Sequence, residues 1–143
     1  IHQPLHTVTR FTTQRPEGDR GGTSFRLSPD ARRRNLHSYW DGGGGAFAFI
    51  SRPLNDNGRN RLTTLASGLQ SSFPKSQMTA EVNQLDPMEW AKEGKKLGIE
   101  QVYPNITEGS IPTTTYEENA RKICRRRVAL AGYRLAAILK QAF

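Results

Sequence analysis

The chain has 143 residues, with 21 Lys plus Arg against 13 Asp plus Glu and a formal net charge of +8. That length suits one domain, too long for a peptide hormone and too short for a multidomain machine, and Leu, Ile, Val and Phe make up only about a fifth of it, the lower edge of globular composition. No run of about 18 apolar residues is present to form a transmembrane helix, and the single cysteine excludes an internal disulfide framework or a multi-thiolate zinc site.

Ile1 is not an initiator methionine, and no charged-apolar-small progression marks a signal peptide. The expectation is therefore a piece of a longer protein. Residues 12–35 are polar and rich in Gly and Pro, which predicts a long loop with a short hairpin turning at Pro29-Asp30. Asn35 is placed to cap a compact helix ending at Asp41, where Gly42 to Gly45 stop it and leave a mobile rim. A short apolar run, 46–50, ends at Pro53. Leu62, Leu65 and Leu69 sit at helical spacing over 60–72, and Pro87 opens a helix to Leu97.

The clearest element is the last. Thr115 and Glu118 form a capping-box pattern, and Ala120, Cys124, Val128, Ala131, Leu135, Ile138 and Leu139 recur every three or four residues. This predicts an amphipathic helix of about 25 residues, about 37 Å long. The expected architecture is mainly α.

Basic residues gather at Arg32-Arg33-Arg34 and at Arg121-Lys122 with Arg125-Arg126-Arg127. Such runs attract nucleic-acid phosphates, but they also form ordinary solvated faces, and no nucleic-acid recognition motif accompanies them. Tyr39, Phe47 and Phe49 are candidates for stacking on bases of a single strand, against the plainer reading that they fill a core.

The three histidines, His2, His6 and His37, all lie in the first 37 residues. His37 and Asp41 are four apart, which on a helix puts an imidazole and a carboxylate on one face, a pair zinc accepts. Zinc requires a further ligand, and His2 or His6 could supply it.

Ile1-His2-Gln3-Pro4-Leu5-His6, Gly18-Asp19-Arg20-Gly21-Gly22 and Asn35-Leu36-His37-Ser38-Tyr39-Trp40-Asp41 resemble the zinc-dependent single-strand-specific class I nucleases, the S-one/P-one type, which share a fold with zinc phospholipase C. The likeness continues through Trp90-Ala91-Lys92-Glu93, Val102-Tyr103-Pro104 and Ala129 to Ala136, and so covers nearly the whole chain. Thr23 departs from it, standing where the family usually has Asn.

The resemblance implies the phospholipase C/class I nuclease-like helical fold, incomplete at its N-terminus, with residues 1–143 as the C-terminal part of one zinc nuclease domain. It implies three zinc ions in the intact protein, of which this chain holds the ligands of one: His6, His37 and Asp41. His2 matches a motif histidine that is not a ligand, with a packing or ligand-orienting role. The ligands that activate the nucleophilic water fall outside the chain, which alone is expected to be inactive. The implied whole is a monomeric endonuclease and 3′-nucleotidase, acting on single-stranded DNA and RNA and on 3′-nucleotides by metal-activated water. A zinc phospholipase C-like esterase and a degenerate, non-catalytic basic nucleic-acid-binding relative are the alternatives. The family's habit and the sequon Asn105-Ile106-Thr107 together point to a secreted, lumenal or cell-surface glycoprotein. Cys124 reads either as a small core residue or as half of a disulfide to the rest of the protein.

Overall fold

A computed structural model describes residues 1–143 except 48, 49 and 51. Helices dominate, and the extended pairing among the described residues is limited to isolated bridges, Thr12 with Arg15 and Arg26 with Asn35. The second bridge, with the Leu27 amide donating to Arg34 O at 3.0 Å, closes the hairpin expected around Pro29-Asp30.

Among the described residues five α-helices follow one another: α1 Leu36–Asp41, α2 Asp56–Ser72, α3 Thr79–Asn83, α4 Pro87–Leu97 and α5 Thr114–Ala142. A 3-10 turn, Pro4–His6, opens the chain, and a π-helical turn, Gly98–Val102, prolongs α4. Local chemistry sets several ends. The Asn35 side chain accepts from Ser38 N at 2.8 Å, Asn55 from Gly58 N at 2.8 Å, and Asp86 from Met88 N at 2.8 Å, each satisfying an orphan amide of a first turn. Pro87 costs α4 nothing as its first residue, since its missing N–H has no intrahelical role there.

The main core gathers residues distant in sequence, including Leu5, Phe25, Leu36, Trp40, Val102 and Tyr116. Tyr116 ties it together: its hydroxyl accepts from Trp40 Nε1 at 2.9 Å and donates to Val102 O at 2.6 Å. The two rings meet edge-on at 6.3 Å, so both polar handles are satisfied while their apolar faces are buried. A smaller core of Met78, Val82 and Leu130 joins α3 to α5.

Several expectations need correction. Helix α5 starts two residues earlier than the capping box requires: Thr113 is the cap, accepting from Tyr116 N at 3.2 Å. Burying Tyr116 against Trp40 sets that register. Ala120 and Cys124 are buried as expected, but further along α5 the buried positions are Arg127, Ala129, Leu130 and Arg134, whereas Val128, Leu135, Ile138 and Leu139 are exposed. The two arginines can be buried because Glu93 on α4 meets both. Its Oε2 accepts from Arg127 Nη1 at 2.6 Å and Arg134 Nη1 at 2.9 Å, and its Oε1 from Arg134 Nη2 at 2.6 Å. Of the three leucines spaced along α2, Leu69 is buried and Leu62 is exposed, so the apolar face is real but mostly uncovered. The helix also begins at Asp56, earlier than its leucine spacing suggests.

The glycine run is ordered as a turn: Gly43–Gly45 form a 3-10 turn against α5, with Arg121 Nε donating to Gly44 O at 3.0 Å. Of the apolar run 46–50, Ala48 and Phe49 lie outside the described residues.

Candidate metal centre

The site is assembled where the opening turn, the loop 18–23 and α1 meet. Gln3 caps the opening turn, its Oε1 accepting from Leu5 N, and this turn presents His6. Thr7 and Val8 pass close against α4. A Cβ at Gly94 would run into Thr7 Oγ1, so glycine there lets the segment lie flat on the helix. Helix α1 carries His37 and Asp41 one turn apart, as their spacing predicts.

The structure brings His6, His37 and Asp41 together. His6 Nε2 stands 3.4 Å from Asp41 Oδ1, His37 Nε2 stands 3.6 Å from Asp41 Oδ2, and the two imidazoles stack at 5.1 Å. One atom from each residue can be chosen so that all lie within 4.8 Å of one another. Two ligands bonded to one zinc at about 2.0–2.2 Å and the tetrahedral angle stand about 3.3–3.6 Å apart. Each histidine nitrogen stands at such a separation from one carboxylate oxygen of Asp41, His6 from Oδ1 and His37 from Oδ2. The donor set, two imidazoles and a carboxylate, is one that zinc takes. These residues therefore fit the metal.

Neighbours orient these side chains. Gly21 O accepts from His37 Nδ1 at 2.7 Å. A carbonyl can only accept, so the proton is on Nδ1 and the Nε2 lone pair is left for a metal. Gly21 has φ +61°, and a Cβ there would come within 2.5 Å of Leu5 O; only glycine lets this carbonyl reach the ring. Gln3 Nε2 donates to Asp41 Oδ1 at 3.0 Å. Asp19, buried within this loop, accepts from Arg10 N at 3.0 Å and from the Tyr103 hydroxyl at 2.7 Å. Burial, then the Asp19 carboxylate, pushes the Tyr103 hydroxyl pKa far up, so the phenol stays a donor.

His2 stands outside this cluster, so the open choice between His2 and His6 falls to His6. The His2 ring lies on Trp90, centroids 5.1 Å apart, and its Nε2 accepts from Arg134 Nη1 at 3.1 Å. Burial, then the charges of Arg127 and Arg134, lowers its pKa to about 4. It is a neutral packing group on the Glu93 network, and Arg127 Nε donates to its backbone carbonyl at 3.0 Å.

Of the stacking candidates, Tyr39 is buried in the main core, Phe47 packs against that core, and Phe49 lies outside the described residues. Nor are the basic runs uniformly solvated. Arg32 pairs with Glu117 at 3.4 Å, Arg126 with Glu81, and Arg127 is internal. Cys124 is a free, buried thiol whose pKa burial pushes up to about 12. Asn105 is exposed in a turn.

Sequence reasoning missed Gln3 and Gly21 as orienting groups. Gln3 lies between the two histidines of the opening motif, and an amide beside expected ligands was the available signal. The Gly21 contact is a backbone carbonyl, which residue types do not announce.

The family model described as S1/P1 Nuclease matches residues 1–143. Endonuclease 4 of Arabidopsis thaliana is 28% identical over 151 residues, covering 100% of this chain and 46% of its own length. Endonuclease 1 of the same plant gives the same figures, and Endonuclease 5 is 26% identical over 152 residues, with 47% of its length covered. The chain spans about half the length of the curated relatives it matches. With the match running from end to end, and with a mainly helical fold that agrees with it, the chain belongs to the S1/P1 nuclease family.

Proposed function

We propose that this chain is the C-terminal part of a single zinc nuclease domain, and that the whole protein hydrolyses single-stranded DNA and RNA and removes 3′-phosphates from nucleotides. The observation that carries the reading is the convergence of His6, His37 and Asp41, one ligand atom from each lying within 4.8 Å of the others. In this reading these three residues hold one of three zinc ions, and the other metal ligands come from the rest of the protein. Zinc supplies Lewis-acid stabilisation of the charge that develops on phosphodiester oxygens.

The chain's own residues position that chemistry. Gly21 O keeps the His37 proton on Nδ1. Gln3 holds the Asp41 carboxylate in its rotamer by donating to Oδ1, and the contact of Gly94 with Thr7 sets the height of His6 over α4. The exposed apolar stripe Val128, Leu135, Ile138 and Leu139, together with the half-length match to the relatives, supports placing the rest of the domain against the outer face of α5. We assign the protein to the secretory route as a monomer, with Asn105 as the glycosylation site, supported by the exposure of that asparagine in its turn.

The test is hydrolysis of single-stranded DNA by the full-length protein and by this chain alone, each with and without a zinc chelator. Chelator-sensitive cleavage by the full-length protein only is the expected result. Cleavage that survives zinc removal overturns the metal reading, and cleavage by this chain alone overturns the division of ligands.

A further inference from the structure

The loop that carries Gly21 also carries Arg20, whose φ is +56°. Left-handed backbone is the province of Gly, with Asn and Asp next; a long charged side chain there is strained and calls for a reason. The surroundings impose the conformation from both sides. Asp19 is fixed by Arg10 N and the Tyr103 hydroxyl. Gly21 and Gly22 are fixed by His37, whose Nδ1 donates to Gly21 O and whose backbone N–H donates to Gly22 O at 3.2 Å. The Thr23 amide closes the turn on Arg20 O at 3.3 Å.

The side chain so placed is exposed and lines a shallow groove of about 620 Å³ together with His6, His37, Thr7 and Thr9. Nearby carboxylates are engaged elsewhere: Asp19 as described, and Asp41 with the two histidines and Gln3. Arg20 takes part in none of the ion pairs or side-chain hydrogen bonds among the described residues, and it is the arginine that lines the groove at His6 and His37. A guanidinium is a fork of donors matched to phosphate oxygens. We propose that Arg20 is a phosphate-positioning residue: it takes non-bridging oxygens of the phosphate that lies in the groove at His6 and His37. The inference deepens the nuclease reading above and rests on it for the identity of the molecule that brings the phosphate.

Inorganic phosphate is the probe. Zinc-loaded full-length protein is titrated with it calorimetrically, beside Arg20→Asn, Arg20→Gly and Arg20→Lys. Asn and Gly both accept left-handed backbone, so these two variants remove the guanidinium and keep the turn. Unchanged zinc content and melting temperature are expected for both. The phosphate Kd is expected to rise about tenfold in Arg20→Asn and Arg20→Gly, the size of one lost charge-assisted contact, and to recover in part in Arg20→Lys. KM for a single-stranded oligonucleotide should follow Kd, with kcat changing less. A Kd within twofold of the wild type, or a wild type that binds no phosphate, overturns the proposal. So does loss of zinc or a lower melting temperature in both uncharged variants, which makes the role structural. If phosphate binding depends on Arg20 but single-stranded DNA stays uncut, the nuclease reading fails and the anion site stands. Cleavage with Arg20-independent phosphate binding sinks the anion site alone.

Discussion

The carbonyl of Gly21 accepts the Nδ1 proton of His37 at 2.7 Å, so a loop outside α1 decides which nitrogen of that imidazole is free to bind. The same loop accepts the His37 backbone N–H through Gly22 O. Imidazole and helix start are therefore fixed by one short segment, as a proposed metal ligand requires. Replacing His37 with Ala removes the ligand but leaves the Asn35 cap and the buried Leu36 and Trp40 in place. The expected result for the full-length protein is loss of one bound zinc and at least a 100-fold fall in single-strand cleavage, more than the about 10–100-fold seen for orienting groups alone. The melting temperature of the metal-free protein should move little. Metal analysis beside calorimetry checks it; unchanged zinc content overturns the assignment of His37.

Gln3 separates an orienting role from a ligating one. Its two amide ends do different work, Nε2 on Asp41 Oδ1 and Oε1 on the Leu5 amide. Gln3→Glu keeps the acceptor for Leu5 and loses the donor to Asp41, setting a second negative charge beside the carboxylate. Zinc affinity changes through two opposed routes in that variant, so Gln3→Met, which lacks both polar ends, is the cleaner comparison. An affinity loss of about 10–100-fold in Gln3→Met is expected, read by competition with a chromogenic chelator. Equal affinities in wild type and Gln3→Met would mean that Asp41 needs no help in holding its rotamer.

What was legible beforehand divides along the range of the interactions involved. Asn35, Pro87 and the spacing of His37 and Asp41 act within one turn of helix, and the structure places each where sequence puts it. The start of α5 was harder. Thr113, Thr114 and Thr115 all offer a capping hydroxyl, and the choice among them is settled by Tyr116 meeting Trp40, 76 residues away. The buried face of α5 was misread for a similar reason. An apolar stripe is the ordinary signature of burial, but Arg127 and Arg134 are buried because Glu93 on another helix neutralises part of their charge. Periodicity carries no record of that partner. The uncovered Leu62 and Leu135 make the complementary point: a pattern shows which face is apolar, not whether anything lies against it.

Glu93 is the residue on which this network depends. Burial alone would push its pKa up, but the hydrogen bonds from Arg134 and Arg127 outweigh that and hold it below the ordinary 4.5. Removing the carboxylate leaves two guanidinium groups facing each other, with Arg134 fully buried. Glu93→Gln should therefore destabilise the protein by about 3 kcal/mol, the lower end of the range for breaking a buried pair, since Glu93 is itself partly exposed. Arg134→Met in the same background should recover part of the loss by taking away the stranded charge. Urea unfolding of the four proteins in the cycle gives the coupling; additive single effects would show that the pairs do not act together. The sign with pH also follows. A carboxylate with a lowered native pKa stabilises fully above its unfolded value and loses that contribution as pH falls through its native one. The wild type should thus lose stability below about pH 4.5 more steeply than Glu93→Gln.

His2 titrates in a different window, and this makes it separable from Glu93. Its native pKa is pushed down to about 4 by burial and by the charges of Arg127 and Arg134, against an unfolded value near 6.5. Between those two values the unfolded chain binds a proton that the native protein refuses. Stability therefore falls as pH drops from about 6.5 to about 4, and is flat with respect to His2 above and below. The ring is half-buried, so its slope should fall short of the about 1.36 kcal/mol per pH unit of a fully expressed titration. The measurement belongs on metal-free protein and on the difference between wild type and His2→Gln, which isolates the one side chain. Gln keeps a polar side chain near Arg134 without the titration. Denaturant midpoints at pH 4.5, 5.5, 6.5 and 7.5 should converge for the two proteins toward acid and separate toward neutral pH, as the wild type regains the contact of a neutral imidazole with Arg134 and Trp90. Parallel curves across the whole range would mean that His2 accepts its proton as readily in the folded protein as in the unfolded chain.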